Sequence, residues 1–275
     1  DQTLCIYISQ TADPTGAYFA YQVATPNFPD YPKYGVWNNA YFVGTNETDN
    51  PAYALPRQQM LAGPSGAIAP IRLAGTDLPN WQRNHTMPAD LDGPAAPAGS
   101  PGLFVRQVDD EITNPGGPPN AANDFIEVWE FQPDFTTPAN STYTLAATVN
   151  IADFDYNLCN WSRDCLPQPG TTALVDALPH YIMWRAQYRN FGTHESLLVN
   201  FTVDVDGTDH AGVRWVELRD NGGGWTTFQE GTVAPDADHR WMGAISMNGN
   251  GDIALMYNVT GTGTSPSVRY TGRLA

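Results

Sequence analysis

Short apolar runs, many of them alternating, recur along the whole chain. Gly, Pro, Asn and Asp break them at close intervals, and no stretch keeps helical apolar spacing over several turns. Strands of a few residues joined by tight turns satisfy that pattern, so the fold class is all-β. The 25 Gly and 23 Pro supply the turns, and an aromatic content of 12% favours strands. TLCIYISQ and GAYFAYQVA flank TADPT and read as a hairpin. YGVW and AYFVGTN flank Asn38 and Asn39 and read as another, because asparagine tolerates the positive φ of a two-residue turn. FIEVWEF and TYTLAATV form a third across QPDFTTPANS. YIMWRAQYRNF, SLLVNFTVDV, GVRWVELR, WTTFQEGTV, MGAISM, IALMYNV and SVRYTGR continue the series. Residues 80–102, rich in Pro, Gly and Ala, are expected to form an irregular surface loop.

The hairpins are of two kinds. Those at 34–45, 181–205 and 242–259 are rich in small and aliphatic residues, with 88–107 as an irregular fourth. Those at 5–23, 125–149 and 213–233 carry Trp, Tyr and charges. Inner strands near an axis and wider amphipathic outer strands alternate in this way in a β-propeller. The expectation is a single domain over residues 1–275, a propeller of about four to six blades, with a β-sandwich as the alternative.

Six stretches carry a family resemblance: FPDYPKYGVWNNAYF (28–42), PADLDG (88–93), PQPGT (167–171), YRNFGTHESLLVNFTVD (188–204), AGVRWVELR (211–219) and HRWMGAISMNGNGDIALMYNV with SVRYTGR (239–273). In order and content they resemble a family of secreted, mostly bacterial, propeller-like domains of large multidomain surface proteins. The resemblance covers nearly the whole chain. It implies the propeller fold and no particular activity. It also implies further strands ahead of Asp1, so that blade number and ring closure would depend on a missing segment or on a neighbouring protomer.

The formal net charge is −16. A phosphate backbone is repelled by such a surface, which argues against nucleic acid and against anionic membrane. No apolar run is long enough to span a bilayer as a helix. Cys159 and Cys165 bracket the short loop CNWSRDC and are expected to form a local disulfide. Cys5 is left to pair with another segment, with another chain or with nothing. Six N-x-S/T sequons, at Asn46, Asn84, Asn140, Asn160, Asn200 and Asn258, point with the cysteine loop to a secreted, N-glycosylated protein outside the cell or on its surface.

Under the blade reading, polar groups just ahead of inner strands converge at one mouth. They are Asp30, Lys33, Asp90, Asp92, His180, Asp238, His239 and Arg240. Paired carboxylates at such a mouth serve a glycosidase, and a glycan would also bind there without reaction. Each Asp also has a plainer use, which is to hold its own turn. Asp204, Asp206 and Asp209 in DVDGTD are a weak calcium candidate, and no other cofactor is indicated. SMNGNGD (246–252) loosely resembles the Asp-box turn of sialidase-like blades, whose role is to stabilise a hairpin. No P-loop, dinucleotide fingerprint or G-x-S-x-G elbow is present. The reading that accounts for most of these features is a non-enzymatic structural or adhesive module. It would be a homo-oligomer or polymer built by strand addition into filaments or arrays. A lectin-like glycan binder is the alternative, and a glycoside hydrolase ranks third.

Overall fold

The computed structural model describes residues 2–75, 85–109, 124–162 and 164–275. These residues form eighteen strands, one short helix and two 3-10 turns. The chain is therefore mostly β, as its punctuation requires. β1 (Thr3–Ser9) and β2 (Tyr18–Ala24) are the first hairpin, and the two-residue β6 (Gly66–Ala67) pairs with β2 to give the sheet β1-β2-β6. β3 (Lys33–Val36), β4 (Ala40–Gly44), β5 (Ala52–Pro56) and β7 (Ile71–Leu73) make a four-stranded sheet, with helix α1 (Arg57–Ala62) between β5 and β6. The β3–β4 turn closes with Trp37 N–H donating to Ala40 O. Neither Asn38 nor Asn39 takes a positive φ there. Asn38 instead turns its side-chain amide to Ala96 O, 2.9 Å away.

Two four-stranded antiparallel meanders follow. β8 (Met87–Leu91), β9 (Gly102–Val108), β10 (Phe125–Gln132) and β11 (Thr142–Asn150) form one. β12 (Ala186–Asn190), β13 (Glu195–Asp204), β14 (Ala211–Asp220) and β15 (Thr226–Val233) form the other. They join edge to edge where β8 pairs in parallel with β12, Ala89 opposite Ala186. The resulting eight-stranded sheet, in the order β11-β10-β9-β8-β12-β13-β14-β15, curls into a half-barrel. Its outer edges approach, with Thr227 Oγ1 donating to Asn150 O and Glu230 accepting from Ala152 N–H. β16 (His239–Met247), β17 (Ile253–Thr260) and β18 (Ser267–Arg273) make the last sheet.

The described part of 80–102 departs from the surface-loop expectation. Met87–Leu91 is buried from Met87 to Asp90 and lies at the centre of the eight-stranded sheet. Pro88 sits within that strand, opposite Phe104. Proline and small residues signal a loop in a chain read by itself. Here they let other strands come close. A Cβ on Gly44 would lie 2.1 Å from Thr86 O, and one on Gly35 would lie 2.3 Å from Ala89 O. Backbone packs on backbone at those points, and a larger side chain has no room.

Apolar side chains fill the spaces between sheets. The main core joins Trp37, Phe42, Phe104, Phe131, Tyr188 and Phe201 inside the curl of the large sheet. A second core, including Leu4, Tyr21, Val43, Tyr53 and Leu55, lies between β1-β2 and β4-β5. A third joins Leu198 and Val213 to Ile245, Met247, Leu255 and Val259. A fourth, with Leu158, Leu166, Ala211 and Trp241, lies under the Cys159–Cys165 disulfide. No helix among the described residues is long and apolar enough to cross a membrane.

Candidate functional site

The expected mouth residues fall into separate groups. Asp90 and Asp92 meet on β8 and just after it, where Arg185 bridges them at 3.0 and 2.7 Å. Asp90 also accepts from Val36 N–H at 2.9 Å, which ties β8 to β3. Asp92 accepts from Gln187 at 2.6 Å and contacts Arg189 at 3.2 Å. Burial works to raise the Asp92 pKa, but the bonds from Gln187 and Arg185 and the two arginine charges outweigh it and hold the carboxyl below its usual range. A carboxylate held ionised in this way is a clamp and a poor proton donor.

Asp238, His239 and Arg240 stand at the other end of the molecule. Met247, at the far end of β16, bonds Gln187, whereas His239 Nδ1 accepts from Ala211 N–H. The eight residue steps from His239 to Met247 separate Asp92 from Asp238 by roughly 25 Å of strand. Arg240 is buried and forms a bidentate pair with Asp236, whose carboxyl this hydrogen bonding brings down to about 2. Asp238 accepts from Thr264 Oγ1 at 2.7 Å, and Asp30 is exposed with Asn46 Nδ2 at 3.4 Å. Asp92 and Asp238 therefore do not face each other across one cleft, and the glycosidase geometry is not formed between them.

Lys33 and His180 do come together, through aromatic residues that sequence reasoning passed over. The Lys33 ammonium lies 3.5 Å from the centroid of the Tyr31 ring. Tyr31 packs on Tyr181 at 4.8 Å and on His85 at 5.5 Å, and Tyr181 packs on His180 at 5.2 Å. Trp161 of the disulfide loop adds its ring beside His180 and is 44% exposed. His85 is buried, and neither of its ring nitrogens has a hydrogen-bond partner among the described residues. Burial, aided by the nearby Lys33 charge, pushes its pKa down to about 3, so it is neutral at physiological pH. Tyr31 and Tyr181 each adjoin an expected mouth residue, which was the available signal.

The calcium reading of Asp204, Asp206 and Asp209 meets a different arrangement. Asp204 accepts from the backbone N–H groups of Asp206, Gly207, Asp209 and His210. Asp206 binds Thr208 and lies 3.4 Å from His210, and Asp209 accepts from Cys159 N–H. Each carboxylate holds a loop, and among the described residues no three acidic, His or Cys side chains form a metal-sized group. Asn248 likewise holds the β16–β17 turn, through Asn250 and Asp252 N–H, in the structural role expected of it.

The sequons differ in access. Asn140 and Asn160 are exposed, while Asn46 and Asn258 are half-buried. Asn84 lies outside the described residues. Asn200 corrects the expectation, because it is fully buried on β13 against β16, where a Cβ on Gly243 would lie 2.4 Å from its Oδ1. A glycan has no space there. Asn200 reads as exposed only while β13 is taken as a half-buried strand, and both of its faces are covered. The disulfide forms as expected, and Cys5 is an exposed free thiol on β1.

The most unusual surface is a strand edge. β17 alternates cleanly, with Ile253, Leu255, Tyr257 and Val259 facing inward. β18 pairs with it along its whole length, yet all seven of its residues are exposed. β16 packs over β13 and β14, and β18 is the outer strand of that last sheet. Val268 and Tyr270 are 61% and 84% exposed. β1 is the corresponding edge of β1-β2-β6, with Cys5 and Tyr7 on its outer face.

No family model matches the chain, and no curated protein matches it. Among solved structures it is similar to the endo-arabinase from Bacteroides thetaiotaomicron VPI-5482, at 9% identity and a TM-score of 0.40 over 89% of this chain and 74% of that one.

Proposed function

We propose that this protein is an extracellular structural or adhesive module that joins further copies of itself by strand addition at open sheet edges. The observation that carries this reading is β18, a strand with one paired side, an edge unpaired among the described residues, and no buried residue. Soluble proteins normally blunt such edges with charge, proline or bulges, because unpaired N–H and C=O groups recruit other strands. β18 has Val268, Tyr270 and Gly272 on one face, and its two charges, Arg269 and Arg273, on the other. β1 has the same length of seven residues and bears no charge from Thr3 to Ser9. Pairing β18 of one copy with β1 of the next is a head-to-tail contact, which extends into a filament unless its rotation closes a ring. The disulfide and the exposed Asn140 and Asn160 fit an oxidising, glycosylating route out of the cell.

The architecture is read, within the same proposal, as propeller type. The strands that open the four-stranded sheet, the two meanders and the last sheet, β3, β8, β12 and β16, are taken as successive inner strands. Gly35 and Val36 of β3 lie at Ala89 and Asp90 of β8, β8 pairs in parallel with β12, and Gln187 of β12 meets Met247 of β16. Electron microscopy of native, unconcentrated protein is the test. Regular filaments or arrays are the expected result, and isolated particles at every concentration would overturn the assembly reading.

A further inference from the structure

Most arginines of this acidic chain are committed to carboxylates. Arg72, Arg106, Arg185, Arg189, Arg214, Arg219 and Arg240 all form ion pairs. Arg273 of β18 has no carboxylate partner among the described residues. It lines a hollow of about 330 Å³ together with Phe191, His194, Arg219, Phe228 and Gln229.

The hollow brings two guanidinium groups together in a chain of net charge −16. Of the nearby carboxylates, Glu217 is fully buried beneath it, with its oxygens accepting from Ser196, Arg219 Nε and Gln229, and Asp252 accepts from Asn248 Nδ2 and Ala275 N–H. Arg219 lies flat on Phe228, with its guanidinium carbon 3.3 Å from the ring centroid, and leaves its terminal nitrogens without a hydrogen bond among the described residues. Phe228 is nevertheless 53% exposed. Phe191 and His194 stack at 4.7 Å with 14° between their planes. His194 Nε2 is shut off from solvent and has no hydrogen-bond partner among the described residues. The Gln229 amide uses its nitrogen on Glu217, so its oxygen is available, and Asn250 adds another side-chain amide at the rim. Ala275, whose N–H donates to Asp252, closes one side.

We propose that this hollow binds a carboxylate-bearing sugar, a hexuronate residue of an acidic polysaccharide. Arg273 and the terminal nitrogens of Arg219 receive the carboxylate, because planar guanidinium groups match it with two parallel hydrogen bonds. The exposed ring of Phe228 takes the apolar face of the sugar. The side-chain amides of Gln229 and Asn250 meet its hydroxyls. A peptide carboxylate would use the arginines and leave the ring and the amides idle, which favours the sugar. The volume lies at the small end of ligand pockets and suits one or two rings. Burial first, then the Arg219 charge, lowers the His194 pKa, which favours the neutral imidazole at the edge of the site. The site does not depend on the strand-addition reading.

The test is calorimetric or NMR titration of the whole chain with a trigalacturonide, beside the neutral trigalactoside and a tri-glutamate peptide. Saturable binding of the uronide is expected, about tenfold or more weaker for the neutral sugar and for Arg273→Gln, as befits loss of a charge-assisted pair. Phe228→Ala is expected to weaken the uronide and leave any peptide response unchanged. Arg273 and Phe228 are exposed, so unaltered melting curves confirm that both variants fold. Equal response to acidic and neutral sugars, or an Arg273→Gln protein that binds as the wild type does, would overturn the proposal. Equal binding of peptide and uronide would move the site to protein carboxylates and overturn the sugar assignment.

Discussion

Asn200 shows how far one residue's meaning depends on its surroundings. Its sequon is intact, but the side chain is sealed between β13 and Gly243 of β16. Glycopeptide mapping of native protein is expected to find sugar at Asn140 and Asn160 and none at Asn200. Occupancy at Asn200 would mean that β16 does not cover β13. His85 makes a second residue-scale prediction. An unfolded histidine takes up its proton near 6.5, whereas this one does so only near pH 3. Between those values the unfolded state binds the extra proton, so stability falls as the pH falls. His85→Leu removes that term. The stability difference between wild type and His85→Leu, from denaturant melts, is expected to shift by about 1.5 kcal/mol, against the wild type, between pH 6.5 and about 5. A difference independent of pH would place the His85 ring in water.

At the scale of elements, close approach of backbones governs what the sequence tolerates. Gly44→Ala sets a methyl group against Thr86 O, a backbone atom that cannot turn aside. The expected loss is about 2–3 kcal/mol by chemical denaturation. Gly223→Ala is the control, since a Cβ there meets nothing within 4 Å, and it is expected to be near neutral. The same crowding explains β8. Its Pro88 and small residues look like loop, but they are what lets β3, β4 and β12 close around the strand. The acidic turns follow the opposite logic, because their partners are local. Asp204 and Asn248 each bind N–H groups within six residues of themselves, a role legible from Asp and Asn in glycine-rich turns.

On the scale of the whole molecule, β18 ends the last sheet as its outer strand. Arg269 and Arg273 lie on the inward-pointing side of β18 but stay exposed, and Val268 and Tyr270 face solvent on the other side. Lysines on an edge are a common device against strand pairing. Val268→Lys with Tyr270→Lys is therefore expected to leave the melting temperature unchanged and to abolish filaments seen by electron microscopy. Filaments of the double variant indistinguishable from wild type would assign assembly to another surface.

Local chemistry determined much of this protein before any folding. Turn residues and alternating runs specify the β class, most hairpins and the short disulfide loop, because each depends on neighbours a few residues away. The β1–β2, β10–β11 and β16–β17 pairs all stand where those patterns place them. Tertiary structure alone decided what lies on the second face of each strand. It buried Asn200, put β8 at the centre, drew Lys33 and His180 together through Tyr31 and Tyr181, and separated Asp92 from Asp238. The physical reason is that strand alternation has a period of two and distinguishes faces without naming what covers them. That cover comes from sheets distant in sequence, and only their stacking determines which polar groups share a site and which edge remains open.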